Sequence, residues 1–141
     1  MTVPKVGDVM TKQVIYLPAE TTLDEAARAM READIGDVVV TDGSTLAGMV
    51  TDRDIVVRAV ADRKDPETTT IGEVASREIV MIEQNSSASD AANLMRERGI
   101  RRILVCDADR QLVGIVSLGD LAMRFDPHSA LSDISEQAPN T

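Results

Sequence analysis

Apolar and polar positions follow the same order twice along the chain, and this order predicts short strands and helices. The most apolar runs consist of β-branched and aliphatic residues and are typical of buried strands; they are residues 38–40 and 103–105. Before each run, apolar residues recur at near-helical spacing after a hydroxyl-rich start, which predicts a helix. Further strands are predicted at residues 14–17, 46–50, 79–82 and 112–116. Helical turns are predicted at 6–10 and 71–75, and closing helices at 52–61 and 118–124.

The two halves of the chain are copies of one β-α-β-β-α unit. Val6-Gly7-Asp8-Val9-Met10 matches Ile71-Gly72-Glu73-Val74-Ala75, and the match continues at the same shift as far as Asp42 and Asp107. One residue is then inserted, and the shift becomes one position longer. A single copy of about 60 residues would be marginally stable alone. We therefore predict an α+β fold (α/β-type) of two pseudo-symmetric repeats packed sheet to sheet: a first repeat at 4–61, a linker at 62–70, a second repeat at 71–126 and a polar tail at 127–141.

Composition narrows the classes of function. A net charge of −9 and an aromatic content of 1% disfavour nucleic-acid binding. No apolar run approaches the roughly 20 residues that span a bilayer, and no secretory signal is visible at the start of the sequence. The single cysteine, Cys106, fits a reducing, cytoplasmic setting and is expected to be a buried structural thiol. One histidine and no recognisable nucleophile, metal or phosphate-loop motif indicate that the chain is not an enzyme and holds no metal.

The chemistry of interest lies in a repeated motif, Gly48-Met49-Val50-Thr51-x-x-Asp54 and Gly114-Ile115-Val116-Ser117-x-x-Asp120. In one interpretation the hydroxyl and the acid cap a helix. In the other they hold a ligand, because aspartate is shorter than the usual glutamate of a capping box and the preceding glycine admits close backbone approach. A helix start also attracts phosphate, and an aspartate there is able to accept from sugar hydroxyls. Both interpretations remain open from the residues alone.

These motifs resemble those of a pair of CBS domains, the module named after cystathionine β-synthase. The resemblance covers residues 4–126 and includes Thr51-Asp52-Arg53-Asp54-Ile55, Val9-Met10-Thr11 and Gly99-Ile100-Arg101-Arg102. It implies two clefts that bind adenosine derivatives such as AMP, ADP, ATP, NAD or S-adenosylmethionine. The implied nucleotide-binding residues are, for ribose and phosphate, Thr51, Arg53, Asp54, Ser117 and Asp120; for adenine, Val14, Ile15, Ile79 and Val80; and for phosphate, Arg101 and Arg102.

The two copies depart from the family pattern unevenly. Gly36-Asp37 stands where the second copy has Arg101-Arg102, and Leu118-Gly119 stands where the first has Asp52-Arg53. We therefore expect the two clefts to bind differently. The expected function is a stand-alone regulatory module that senses an adenine nucleotide and signals through an unknown regulated protein or through dimer geometry. The alternative is a structural or interaction module without a nucleotide. A homodimer is expected in either case if the closing helices expose their apolar residues, Ile55, Val56, Val57, Val60, Leu121, Ala122 and Met123.

Overall fold

The structure is a computed structural model that describes residues 3–124. The elements of the first repeat are α1 (Val6–Val9), β1 (Tyr16–Pro18), α2 (Leu23–Ala33), β2 (Asp37–Asp42), β3 (Thr45–Thr51) and α3 (Asp52–Ile55), followed by a π-helical turn (Val56–Val60). Those of the second repeat are α4 (Ile71–Val74), β4 (Met81–Glu83), α5 (Ala88–Arg98), β5 (Arg102–Cys106), β6 (Leu112–Ser117) and α6 (Leu118–Arg124). This order confirms the predicted repeat and the α+β fold class. No helix in this part of the chain is long and apolar enough to span a membrane.

Each repeat supplies one three-stranded sheet, and the two sheets have the same topology. In the order β1-β2-β3, the first pair is parallel and the second antiparallel; the order β4-β5-β6 repeats this arrangement. The central strands contain the predicted apolar runs, and residues 38–40 and 103–105 are all buried. The predicted buried thiol is also confirmed, since Cys106 is buried and its Sγ lies 3.6 Å from the carbonyl oxygen of Ile82.

The first strand of each repeat begins later than predicted. Strands were expected at 14–17 and 79–82, whereas β1 and β4 begin at Tyr16 and Met81. Ile15 and Val80 still accept one hydrogen bond each through their carbonyl oxygens, from Val39 N at 2.8 Å and from Leu104 N at 3.0 Å. The chain forms two compact units, whose boundaries in sequence are at 14–15 and 79–80, next to these two residues. Regular strand pairing begins at Tyr16 and Met81, just after each boundary.

The opening segment of each repeat packs in the compact unit that contains the rest of the other repeat. Residues 15–79 form one unit, the first-repeat unit; residues 3–14 and 80–124 belong to the other, the second-repeat unit. Thus α1 packs in the second-repeat unit, where Val6 and Val9 join the core, and α4 packs in the first-repeat unit, where Ile71 and Val74 do the same. Sequence repeat and structural unit therefore divide the chain at different places.

The two opening helices dock in equivalent ways. Gly7 N donates to the carbonyl of Gln84 and Gly72 N to the carbonyl of Ala19, both at 2.9 Å. A Cβ added at Gly72 would lie 3.0 Å from the Ala19 oxygen, so a larger residue would push α4 away. The glycine in each opening segment is thus explained by close packing of the chain on itself.

The closing segments differ from each other. Instead of the single helix predicted at 52–61, α3 ends at Ile55 and widens into a π-helical turn, where Ala61 N donates to the carbonyl of Val56 at 3.0 Å. Ala59 enters the core of the first-repeat unit, while Val56, Val57 and Val60 are 57%, 48% and 64% exposed. The predicted helix 118–124 is confirmed. Of the apolar residues named for this helix, Leu121 and Ala122 are buried in the second-repeat unit and Met123 is exposed, so the condition for a homodimer is met there only by Met123.

Candidate functional site

Both hydroxyl-aspartate motifs form complete capping boxes. Thr51 N donates to Asp54 Oδ2 at 2.9 Å, and Asp54 N donates to Thr51 Oγ1 at 3.0 Å. The corresponding distances for Ser117 and Asp120 are 2.9 and 3.1 Å. The shorter aspartate therefore completes the box, because Thr51 has the extended backbone of a strand end, with its N–H within reach of this side chain.

The capping boxes occupy backbone N–H groups that a bound anion would need. Each box uses the backbone N–H of its aspartate and one carboxylate oxygen, and α3 and α6 have only four and seven residues. The expectation that helix-end amides attract a phosphate therefore gains no support from this geometry. The second oxygen, Oδ1, of each aspartate is not used by the box. Further chemistry at the motifs depends on this oxygen and on neighbouring side chains.

The opening segments lie directly beside the motifs. Met49 and Ser76 exchange backbone hydrogen bonds at 2.9 and 2.8 Å, and Thr11 and Ile115 do so at 2.8 and 2.9 Å. The motif glycines permit this approach, because an added Cβ would lie 2.3 Å from the Ser76 oxygen at Gly48 and 2.8 Å from the Thr11 oxygen at Gly114. At both glycines the approaching backbone is the chain's own, so the approach of a ligand to these glycines stays a prediction.

In the second-repeat unit, the opening segment brings a hydroxyl group to the motif aspartate. Thr11 Oγ1 lies 3.2 Å from Oδ1 and 3.3 Å from Oδ2 of Asp120, and the hydroxyl donates to this carboxylate. Thr11 is exposed and Asp120 is half-buried. Among residues 3–124, no corresponding side-chain hydrogen bond joins Ser76 to Asp54. The carboxylate of Asp120 therefore already serves as an acceptor for an alcohol at the protein surface.

In the first-repeat unit, an arginine takes this place beside the motif aspartate. Arg58 Nε lies 3.9 Å from Asp54 Oδ1, and Arg58 Nη1 donates to the carbonyls of Val74 and Ala75 at 3.2 and 3.4 Å. The Asp54 side chain is 17% exposed. The sequence interpretation did not include Arg58, although one signal was present: an arginine follows the motif aspartate by four residues in both copies, and i,i+4 pairs meet on a helix.

Two of the predicted phosphate-binding arginines, Arg101 and Arg102, lie beside the second motif. Arg102 on β5 pairs directly with Ser117 on β6, and the carbonyl of the exposed Arg101 accepts from Leu118 N at 2.9 Å. At the first motif, Asp37 occupies the position opposite Thr51. Arg53 is exposed and follows Thr51 by two residues, so it adds a cation near the first motif.

The predicted adenine-contacting residues are divided between the units. Ile15 and Ile79 belong to the first-repeat unit, together with Thr51, Arg53 and Asp54. Val14 and Val80 belong to the second-repeat unit, together with the remaining predicted residues, Arg101, Arg102, Ser117 and Asp120. Ile15 and Val80 pack against the apolar cores of their units, which leaves their part in adenine binding a prediction.

A separate cavity of about 170 Å³ opens in the first-repeat unit. Its lining includes Asp42 and Arg77 and three alanines, Ala19, Ala47 and Ala75. At the positions equivalent to the alanines, the second-repeat unit has Gln84, Val113 and Met10. Met10 is 6% exposed, and its Sδ would lie 2.7 Å from a Cβ on Gly114. The cavity is therefore the space that larger side chains fill in the other unit. Within residues 3–124, no three His, Cys, Asp or Glu side chains cluster as a metal site would require.

Comparisons with known proteins agree with this architecture. The family model described as "CBS domain" matches twice, at residues 6–60 and 71–126. The CBS domain-containing protein YhcV of Bacillus subtilis is 41% identical over 136 residues, which cover 94% of this chain and 96% of YhcV. Hypoxic response protein 1 of Mycobacterium tuberculosis is 39% identical over 123 residues, covering 86% of this chain and 85% of that protein.

Two solved structures are also similar. The crystal structure of Hypoxic Response Protein I, which has two coordinated zinc ions, aligns with a TM-score of 0.68 at 39% identity and covers 86% of this chain and 98% of that one. The CBS domain pair of protein MJ0100, in complex with 5'-methylthioadenosine and S-adenosyl-L-methionine, aligns with a TM-score of 0.78 at 26% identity. That alignment covers 91% of this chain and all of the other, 100%.

Proposed function

This chain belongs to the CBS-domain family, and from this premise we propose that it is a regulatory module that binds an adenosine-containing ligand. The ligand class is AMP, ADP, ATP, NAD or S-adenosylmethionine. The aspartates of the two motifs, Asp54 and Asp120, accept from the ribose hydroxyls in this proposal. Binding and signalling are the proposed role, without a catalytic step.

One observation carries the proposal, namely the bond from the Thr11 hydroxyl to Asp120. A carboxylate beside the surface already accepts from an alcohol there, and a ribose hydroxyl has the same donor chemistry. Hydrogen bonds to an ionised carboxylate are stronger than those between neutral groups, contributing about 1.5–3 kcal/mol each. A vicinal diol is therefore a suitable ligand group for Asp120.

A ligand-bound relative adds support. The MJ0100 domain pair is solved with two adenosine compounds, 5'-methylthioadenosine and S-adenosyl-L-methionine. These ligands belong to that protein, and the present chain shares its fold and 26% of its sequence. They make the adenosine group, rather than a free phosphate or a sugar alone, the first choice for a ligand panel.

The second candidate is a structural or interaction module with no nucleotide. It is favoured by the two complete capping boxes, which give Thr51, Asp54, Ser117 and Asp120 a full structural role. Loss of such a cap destabilises a protein by about 1 kcal/mol. Stability measurements alone therefore do not separate the two candidates, and direct binding must be measured.

Calorimetric titration of the wild-type chain with AMP, ADP, ATP, NAD and S-adenosylmethionine separates them. We expect at least one ligand to bind and, at 100 times its dissociation constant, to raise the free energy of unfolding by about 2.7 kcal/mol. We also expect Asp54→Ala or Asp120→Ala to remove binding while the chain stays folded. If no ligand binds the wild-type chain and both variants merely melt earlier, the structural module is the correct answer.

The output of the module requires a partner outside the folded unit. We propose that the ligand acts by favouring one arrangement of a homodimer or of a complex with a regulated protein, since a ligand shifts only equilibria in which it binds one state better. The valine patch of the π-helical turn (Val56, Val57 and Val60) is the exposed apolar surface that supports a homodimer. A cytoplasmic setting is proposed on the single, buried thiol of Cys106.

A further inference from the structure

The charged residues next to the two motifs differ in sign. Immediately before β5 the second repeat has Arg101, whereas immediately before β2 the first repeat has Gly36. At the first residue of the closing helix the second repeat has Leu118, whereas the first has Asp52. The cation Arg101 thus corresponds to Gly36, which has no side chain. The apolar Leu118 corresponds to the anion Asp52.

The backbone shows that these positions are structurally equivalent. Leu118 N donates to the carbonyl of Arg101 at 2.9 Å, and Asp52 N donates to the carbonyl of Gly36 at 3.0 Å. The residue before the strand and the first helical residue are therefore joined by the same hydrogen bond in both units. Their side chains begin at the same place relative to the motif hydroxyl and aspartate.

In the first-repeat unit a carboxylate lies beside this position. Asp52 Oδ2 would lie 3.0 Å from a Cβ on Gly36, so the carboxylate of Asp52 occupies the space beside residue 36. Its other oxygen, Oδ1, accepts from Arg53 N at 2.8 Å, which holds the group in place. In the second-repeat unit the equivalent position before β5 carries Arg101, which is exposed, and the closing helix begins with Leu118 in place of an acid. A phosphate beside residue 36 would meet the fixed carboxylate of Asp52, which counters the neighbouring cation of Arg53, whereas the second-repeat unit has an arginine at residue 101 and no acid at the position of Asp52.

The motif aspartates also have different partners, an alcohol in the second-repeat unit and a guanidinium in the first. Asp120 accepts from a neutral alcohol, Thr11, which a ribose hydroxyl is able to replace without separating charges. Asp54 is paired with the guanidinium of Arg58, and the two carbonyls of α4 keep that guanidinium in position. A ligand hydroxyl at Asp54 must therefore share the carboxylate with a cation, whereas at Asp120 it would replace the hydroxyl of Thr11.

From this asymmetry we propose that the second-repeat unit is the site for a phosphorylated adenosine, and that the first-repeat unit disfavours phosphate and accepts adenosine compounds that lack it. The proposal rests on the proposed function and specifies the ligand charge for each motif. It names Asp120 as the acceptor for ribose and Arg101 as the cation for phosphate.

The test uses two probes, AMP and the uncharged 5'-methylthioadenosine, titrated calorimetrically into the wild-type chain and four variants. Asp120→Asn and Asp54→Asn keep a side-chain oxygen for the capping box. Arg101→Gln removes the proposed phosphate contact, and Arg96→Gln removes the same charge from an exposed position on α5. Thermal melting of each variant shows that it is folded. Amide-shift mapping of AMP binding to the ¹⁵N-labelled wild-type chain locates the site without a substitution.

We expect Asp120→Asn to abolish AMP binding, whereas Asp54→Asn, at the other proposed site, should weaken 5'-methylthioadenosine more than AMP. Arg101→Gln should weaken AMP about tenfold, the loss of one charge-assisted contact, and change 5'-methylthioadenosine less than twofold. Added salt should weaken AMP but not the uncharged probe. Amide shifts with AMP should concentrate at residues 101–120.

Three results would overturn the assignment. They are loss of AMP binding in Asp54→Asn rather than Asp120→Asn, an effect of Arg101→Gln no larger than that of Arg96→Gln, and amide shifts centred on 36–54. In each of these the chain still binds an adenosine compound, so the proposed function stands. Binding of neither probe by the wild-type chain would reject the proposed function, and the site assignment with it.

Discussion

Arg58 connects the motif aspartate of the first repeat with the opening helix of the second. Its Nε lies 3.9 Å from Asp54 Oδ1, a long distance for an ion pair, and its side chain is 51% exposed. Exposed i,i+4 ion pairs contribute about 0.3–0.5 kcal/mol. Its hydrogen bonds to the carbonyls of Val74 and Ala75, at 3.2 and 3.4 Å, are charge-assisted and hold the end of α4. We infer that anchoring α4 is the larger part of its contribution to stability.

At the residue scale, we predict that Arg58→Gln lowers the free energy of unfolding by about 1 kcal/mol, mostly through the lost carbonyl contacts. Urea unfolding of Arg58→Gln, Asp54→Asn and the double variant measures the coupling between the two side chains. The expected coupling energy is about 0.5 kcal/mol or less. A coupling above about 1.5 kcal/mol would show that the ion pair, and not the anchoring of α4, is the principal contribution.

At the scale of elements, the exchanged segments bring helix starts together in pairs. Thr22 and Thr70, the N-caps of α2 and α4, form an isolated antiparallel bridge, and Lys5 and Ser87 do the same for α1 and α5. Acidic side chains stabilise helix N-termini. In the first-repeat unit these acids are Asp24, beside the cap of α2, and Glu73, in the capping box of α4.

Hydrogen bonds hold both carboxyls in the ionised form. The Thr22 hydroxyl, with smaller contributions from the Glu25 amide and the Arg28 guanidinium, lowers the pKa of Asp24 below its ordinary value. The Thr70 amide and hydroxyl, with a smaller contribution from Lys64, lower the pKa of Glu73. A carboxyl whose pKa is lower in the folded state stabilises the fold above its unfolded pKa, and this contribution is lost as the pH falls through the folded pKa.

We therefore predict that the urea midpoint of the chain falls as the pH is lowered from about 5 to about 3, the range just above and below ordinary carboxyl pKa values. Asp24→Asn and Glu73→Gln should lower the midpoint at pH 7 and flatten the acid loss. Glu67→Gln is the control, because it removes an equal charge from an exposed linker position. If the control flattens the curve equally, general charge repulsion, and not the capping carboxyls, accounts for the pH dependence.

At the scale of the whole molecule, the valine patch holds the most exposed large apolar side chains of residues 3–124. Val60 is 64% exposed, and all three valines of the patch point away from the core that Ala59 enters. The wider π-helical turn produces this arrangement, which the α-helical periodicity of residues 52–61 does not predict. Burial of the valines against a second copy would remove them from water at a gain of about 25 cal/mol per Å².

We predict that the wild-type chain sediments as a homodimer at micromolar concentration and that Val60→Asp converts it to a monomer, because a buried, unpaired carboxylate is strongly unfavourable. Sedimentation equilibrium measures the mass directly. Val3→Asp makes the same change at another exposed valine and should leave the dimer intact. A monomeric wild-type chain would exclude the homodimer, and dissociation of both variants would show that the valine patch is not the interface.

Much of the molecule follows from the sequence itself. The duplication, the order of elements, the buried runs at 38–40 and 103–105 and the two motifs are encoded by local pattern, since side-chain period and turn residues act over a few positions. The family resemblance, carried by Thr51-x-x-Asp54 and its second copy, is confirmed by the two matches at 6–60 and 71–126. The ligand and the role of each predicted site residue stay predictions.

Tertiary packing determines the neighbours of each motif, which the local sequence pattern does not encode. The exchange of α1 and α4 between units depends on pairings such as Thr11 with Ile115, which lie far apart in sequence. That exchange places the Thr11 hydroxyl on Asp120, and it places the Val74 and Ala75 carbonyls within reach of Arg58. Sequence alone therefore shows two similar motifs, whereas the folded chain gives them different neighbours, because the surroundings of a side chain are set by contacts that only the folded chain brings together.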